Sequence, residues 1–378
     1  MKINTKLLHD YPVIDSFTGA SSIPKYQTST FHQKNVFSHT GFSYTRFGNP
    51  TVDAAEKCIA SLENANFGLA FSSGMAAINA ALFLLSKGDH LVVGKNIYGG
   101  TFQSIHQFLF RFGVECTFVD EADIHSWKEA IRDNTKMFYI ETPSNPLLTI
   151  TDIQKVASLA DTYNILTVAD NTFMTPLSQH PLMLGVDLVI HSATKFINGH
   201  SDVVAGFVAT NQEKLYQRLK EHQKTLGGIL SPEDAWLLLR GVKTMGLRMK
   251  KSVKNAEIIA EFLNDHSAVK KVYYPGLKNH PDAEIHAKQC SDSGAVLSFE
   301  LQNTKQIDAL FSNCSLPIVA VSLGGVESIL SYPWLMSHGS LSEEERLKMG
   351  VTPTLVRLSC GIEDTEDLLS DLEKGLQK

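Results

Sequence analysis

Cysteine is scarce in this chain. There are five among 378 residues, Cys58, Cys116, Cys290, Cys314 and Cys360, all far apart. An odd number with no close pair argues against a disulfide framework and against a zinc site, so no metal is expected. Long apolar runs are missing as well. None approaches the ~20 residues that span a bilayer, so no membrane partner is expected. The opening stretch, MKINTKLLHDYPVIDS, has neither the apolar core nor the small-residue cleavage site of a secretory signal. These absences point to a cytoplasmic protein with reduced thiols. A basic excess is absent too: 34 Lys and Arg stand against 40 Asp and Glu, a net charge of -6. That balance gives no footprint for nucleic acid. Internal repeats and low-complexity tracts are lacking. So is a G-x-G-x-x-G turn after the first apolar strand, which counts against a nicotinamide dehydrogenase.

What is present is ordinary for a soluble globular chain: 43% hydrophobic and 20% charged residues, with length enough for two domains. Short apolar runs alternate with helical patterns over the first two thirds. The runs are LAFS (69–72), HLVVG (90–94), CTFVD (116–120), MFYIE (137–141), LTVAD (166–170), LVIHS (188–192) and GFVAT (206–210). Runs of this kind, rich in Val, Ile and Phe, fit strands buried on both faces. Alternation with stretches such as MAAINAALFLLSK and TFQSIHQFLFRFG predicts an α/β fold with a mostly parallel seven-stranded sheet. An irregular arm, 1–46, precedes it. A helix then opens at Pro50, with Val52, Ala55, Ile59 and Leu62 on one face. A large domain is expected over 47–240. A long helical pattern, GAVLSFEL, LPIVAVS, TLVRLSC and a final amphipathic helix predict a smaller C-terminal α/β domain over 241–378.

In an open parallel sheet, ligands bind beyond the carboxyl ends of the strands. Those ends carry Ser73-Gly74-Met75 before a helix, Tyr98, Glu141 with Asn145, Asp170 with Asn171 and Thr172, and Ser192 with Thr194 and Lys195. Each residue alone has an ordinary reading. Ser73 caps a helix, Asp170 caps a turn, Tyr98 is a partly buried aromatic and Lys195 is solvated. Together they describe one cofactor. Pyridoxal phosphate needs a lysine for its aldehyde, an acid for its ring nitrogen, a phosphate cradle and a ring to stack on. A desolvated lysine beside a cation has a lowered pKa and serves as nucleophile and base.

At this point the chain resembles the Cys/Met-metabolism family of pyridoxal-phosphate enzymes, of aminotransferase fold type I. The resemblance runs over nearly the whole chain. It rests on YTRFGNPT (44–51), FSSGMAA (71–77), YGGT (98–101), ETPSNP (141–146), DNTF (170–173), HSATKF (191–196), GHSD (199–202), SLGGVES (322–328) and RLSCGIE (357–363). It implies that Lys195 bonds the cofactor and that Asp170 partners the ring nitrogen, with Thr172 beside it. Gly74, Met75, Ser192 and Thr194 would cradle the phosphate, and Tyr98 would stack on the ring and assist proton transfer. Tyr44 and Arg46 would reach the phosphate of a neighbouring subunit, which implies shared sites and a homotetramer. Arg357, supported by Asn145 and Ser322, would take the carboxylate of a small sulfur amino acid. His191 and His200 are read as structural.

The family holds γ-synthases, γ-lyases, β-lyases, sulfhydrylases and methionine γ-lyases. Methionine γ-lyases usually carry cysteine where this chain has Gly100. Cystathionine γ-acting members usually carry glutamate where it has Val321. Both positions, with TFHQ (30–33), DNTFMTPL (170–177), KKVYYPGL (270–277) and VESILSYPWLMSH (326–338), resemble the bacterial cystathionine β-lyase branch. That branch implies β-elimination of cystathionine to homocysteine, pyruvate and ammonia, with cysteine a further substrate. Phe47 and Cys360 depart from the family pattern, which more often has a small residue and a valine there.

Overall fold

The computed structural model describes residues 1–37, 41–337, 339 and 342–377. All seven expected strands form: β1 (Phe67–Phe71), β2 (His90–Gly94), β3 (Glu115–Val119), β4 (Thr135–Glu141), β5 (Leu166–Asp170), β6 (Leu188–Ser192) and β7 (Gly206–Thr210). They build one sheet in the order β1-β7-β6-β5-β4-β2-β3. Every pair is parallel except those of β7, which runs against both β1 and β6.

The apolar runs are continuous because both sheet faces are buried. Leu91, Val93, Met137, Tyr139 and Val168 pack on one side. Val92, Phe138, Ile140 and Ala169 pack on the other. Connections divide between the faces. The segment after β2 contributes Ile105 and Leu109 to the first face. The helix after β4, Ile153–Thr162, contributes Ile153, Val156 and Ala160 to the second. The crevice between β2 and β4 is therefore the switch point where such sheets bind ligands.

A second sheet has the order β10-β11-β12-β9-β8. It is made of β8 (Val269–Tyr273), β9 (Val296–Leu301), β10 (Ile318–Val319), β11 (Ile329–Ser331) and β12 (Leu355–Ser359). The long helix Met245–Asp265 serves two cores with one face. Met245, Met249 and Val253 pack with Ile59 and Leu238 near the first sheet. Ala256, Ile259 and Leu263 pack with Leu297 and Phe299 of the second.

One sequence expectation needs correction and another needs detail. The stretch 1–46 is not irregular throughout: Ile3–His9 is a helix whose Leu7 is buried in the core beside Ile59. TFQSIHQFLFRFG is helical, as its pattern implies, but not uniformly so. An α-helical turn (Gly99–Ser104) loosens into a π-helical turn (Ile105–Leu109), then tightens to a 3-10 turn (Phe110–Phe112). The π turn keeps Ile105 and Leu109 in the core. Among the described residues no helix is long and apolar enough to cross a membrane.

Candidate active site

A cavity of about 520 Å³ opens at the carboxyl ends of β2, β4, β5 and β6 and is closed by β12 and the segment around Ser322. Every site residue expected from the sequence lines it, except Tyr44 and Arg46.

Lys195 follows β6, where the buried strand gives way to a turn. Its Nζ donates to Ser322 Oγ at 2.6 Å. Burial, with help from the Arg357 charge, pushes its pKa from 10.5 down to about 8. The neutral amine that reacts is therefore a far larger fraction at neutral pH than in an ordinary lysine. Ser322 sits in the left-handed region at φ 88°, a backbone state that costs a non-glycine residue about 1–3 kcal/mol. There its hydroxyl meets Lys195 while its carbonyl accepts from Arg357 Nη2 at 2.5 Å.

Arg357 lies in β12, with Ser331 and Ser298 beside it in the ladder. It is 3% exposed. Nη1 donates to Asn145 Oδ1 at 2.8 Å and Nη2 also reaches Ser331 Oγ at 3.2 Å. Its Nε is buried without a partner. Burial brings its pKa down to about 10, so it stays cationic at neutral pH. A buried guanidinium with an unused donor and, among the described residues, no carboxylate partner suits an incoming carboxylate.

Asp170 ends β5 at 8% exposure. Its Oδ1 accepts from both the amide and the hydroxyl of Thr172, at 3.0 and 2.5 Å. Thr172 Oγ1 also accepts from the Ser192 amide at 2.8 Å, which clips the ends of β5 and β6 together. Among the described residues Oδ2 has only the Tyr139 hydroxyl, at 3.5 Å. Burial pushes the Asp170 pKa up, opposed by the Thr172 hydrogen bonds. An adjacent ring cation would favour its ionised form. Behind it, His191 pairs with Glu63 in the core, and His200 Nδ1 meets the Asn198 carbonyl. Neither histidine lines the cavity.

Ser73 caps the helix Gly74–Leu82 by accepting from the Ala76 amide at 3.0 Å. The amides of the first turn have no partner inside a helix and suit an anion. Only glycine fits at 74, because a Cβ there would lie 2.8 Å from Ser192 Cβ. The Thr194 hydroxyl is engaged with Ala205, donating to its carbonyl at 3.2 Å and accepting from its amide at 2.9 Å. Tyr98 is 43% exposed. Burial and the Glu141 charge raise its pKa. A Cβ on Gly100 would come within 2.5 Å of the Tyr98 ring and 2.7 Å of the Met75 sulfur. The donor set therefore fits pyridoxal phosphate: a lysine amine, an open carboxylate oxygen, a helix N-terminus and an exposed aromatic face.

Tyr44 and Arg46 stand apart. The Arg46 guanidinium lies 5.5 Å from the Tyr44 ring and 4.9 Å from that of Phe47, and donates to the Lys224 carbonyl at 2.8 Å. Cys360 is fully buried among Leu297, Leu358 and Tyr274, outside the cavity. Glu141 carries no role in the sequence reading, yet it lines the cavity and binds two of its backbone amides. Its signal was a carboxylate at a strand end.

Residues 4–377 match the family model described as Cys/Met metabolism PLP-dependent enzyme, PLP being pyridoxal 5'-phosphate. The chain is 50% identical to cystathionine beta-lyase MetC of Bacillus subtilis over 376 residues, 100% of this chain and 96% of that protein. It is 47% identical to cystathionine gamma-lyase of the same organism, covering 100% of both. The crystal structure of cystathionine gamma-lyase from Lactobacillus plantarum complexed with L-serine superposes with a TM-score of 0.96 at 44% identity, over 99% of this chain and 98% of that one. The chain belongs to the Cys/Met metabolism family: it is a lyase whose cofactor is pyridoxal 5'-phosphate, held in an aminotransferase fold type I.

Proposed function

We propose that this chain is a cystathionine β-lyase, cleaving L-cystathionine to homocysteine, pyruvate and ammonia, with cysteine desulfhydration as a second activity. The observation that carries the elimination chemistry is Lys195. It is a largely buried amine lowered to about 8, in one cavity with Arg357 and Asp170. Two features support the β choice. Val321 lines the cavity at 61% exposure where γ-acting members carry a glutamate. At Gly100, where methionine γ-lyases carry cysteine, a side chain would press on the Tyr98 ring and the Met75 sulfur.

Arg357 takes the substrate's α-carboxylate through Nε and a terminal nitrogen, steadied by Asn145 and the Ser322 carbonyl. When bound, pyridoxal phosphate supplies an electron sink for charge at the substrate Cα. Asp170 Oδ2 would keep a proton on its ring nitrogen, Tyr98 would cover one ring face, and Lys195 moves the proton at the substrate Cα. Ser322 Oγ aims the lysine amine. The amides of Gly74 and Met75, with Ser192, would hold the cofactor phosphate, and the Thr194 hydroxyl is braced beside them by its contacts with Ala205.

Residues 1–46 form an arm that carries Tyr44 and Arg46 to the phosphate of a neighbouring subunit, in a homotetramer. Residues 47–240 and 241–378 are the large and small domains. All five cysteines are free, in keeping with a reducing cytoplasm. The runner-up is γ-elimination, favoured by the 47% identity to a γ-lyase. The deciding experiment identifies the keto acid released from L-cystathionine by the loaded enzyme. Pyruvate with homocysteine is expected. 2-Oxobutyrate with cysteine would overturn the β assignment.

A further inference from the structure

Glu141 ends β4 opposite Asp170 on β5. It stands at the crevice where the chain after β2 and the chain after β4 part to opposite faces of the sheet. Strands β2 and β4 last pair at Val93 and Tyr139, so no ladder holds the two loops beyond. Glu141 does. Its Oε2 accepts the Tyr98 amide at 2.8 Å and its Oε1 accepts the Asn145 amide at 3.1 Å. Asn145 in turn offers Oδ1 to Arg357 at 2.8 Å. One buried carboxylate thus ties the loop bearing the ring face to the group that meets the carboxylate.

We propose that Glu141 is a positioning residue: it fixes Tyr98 and, through Asn145, Arg357 at one mutual spacing, and so sets where the substrate carboxylate lies against the cofactor ring. This rests on the roles given above to Tyr98, Asn145 and Arg357. Amide-to-carboxylate hydrogen bonds are strong, and buried donors lose most when a partner is removed. The strand-end ladder alone gives no reason for two loop amides to converge on one side chain.

The test is a double-mutant cycle of Glu141→Gln with Asn145→Ala. Glutamine keeps the shape but turns one acceptor into a donor that faces an amide N–H. The readout is the dissociation constant of L-alanine, which has no β-leaving group, from loaded enzyme by spectral titration. Glu141→Gln is expected to weaken L-alanine by about tenfold, the upper end of what one lost hydrogen bond costs. In the Asn145→Ala background the same change is expected to cost no more than about twofold, because the two residues act as one unit. The apo protein's affinity for pyridoxal phosphate reads the Tyr98 side without turnover. It should fall with Glu141→Gln and hold with Asn145→Ala.

Unchanged L-alanine binding in Glu141→Gln, or full additivity in the double variant, would overturn the proposal. If the glutamine variant does not fold, Glu141→Asp decides. Aspartate keeps both acceptors but retracts them by one carbon, so L-alanine affinity should fall between wild type and Asn145→Ala. Wild-type binding in that variant would equally overturn the proposal. Cystathionine turnover is not used. A wild type that binds L-alanine but releases 2-oxobutyrate overturns the β assignment and leaves this test standing.

Discussion

Replacing Arg357 by lysine preserves charge and removes geometry. The guanidinium holds Asn145 Oδ1 with one terminal nitrogen and the Ser322 carbonyl and Ser331 hydroxyl with the other. Nε is left buried and unpaired. A lysine has a single nitrogen. It cannot keep the Asn145 and Ser322 contacts and also present two parallel N–H groups to a carboxylate. Two losses follow. One charge-assisted hydrogen bond to substrate disappears, worth about 1.5–3 kcal/mol. A buried acceptor is also orphaned at a cost of about 1–3 kcal/mol, but that cost falls on free and occupied enzyme alike. Only the first enters binding in full. The expected fall in kcat/KM is therefore about 10- to 150-fold, carried mainly by KM. The assay is keto acid release from L-cystathionine, with cofactor absorbance confirming equal loading. Arg357→Met, of similar volume and no charge, should fall further. A lysine variant within about twofold of wild type would refute the carboxylate role.

Three further outcomes are expected. In the apo protein, an amine-reactive label should modify Lys195 with half-maximal rate near pH 8, rising with pH because the neutral amine reacts; a rise only near ~10.4, the ordinary lysine value, would count against a desolvated lysine. Gly74→Ala should lower the apo protein's affinity for pyridoxal phosphate by roughly tenfold, since its Cβ would sit 2.8 Å from Ser192 Cβ and must push the helix N-terminus off the strand end; unchanged affinity would free Gly74 of that role. Arg46→Ala should weaken cofactor retention if a neighbouring subunit supplies this residue, because among the described residues of its own chain it meets Lys224 and two aromatic rings; unaltered retention would sink the shared-site reading.

The first sheet was legible because its strands are buried on both faces and so stand out as unbroken apolar runs. The second sheet was less so. Strand β8, VKKVY, has two exposed lysines and sits at a sheet edge, and β11 spans three residues. The first lacks an unbroken apolar run, and the second is too short to show one. The stretch after Tyr98 was legible as helical, but apolar residues at helical spacing do not reveal its π-helical turn. The cavity residues were legible one strand end at a time. Glu141 was visible at such an end, but its two amide partners, 43 and 4 residues away, were not.

The sequence by itself determined the α/β class, the strands that bear the site and the residue types that suit pyridoxal phosphate. These follow from local patterns: apolar runs, their polar ends and a lysine placed just after one. Only the tertiary structure decided which groups meet. Lys195 reaches Ser322 across 127 positions, and Arg357 reaches Asn145 across 212. The lowered pKa of Lys195 belongs to the fold alone, because desolvation and a neighbouring guanidinium exist only once two distant segments close over the same cavity.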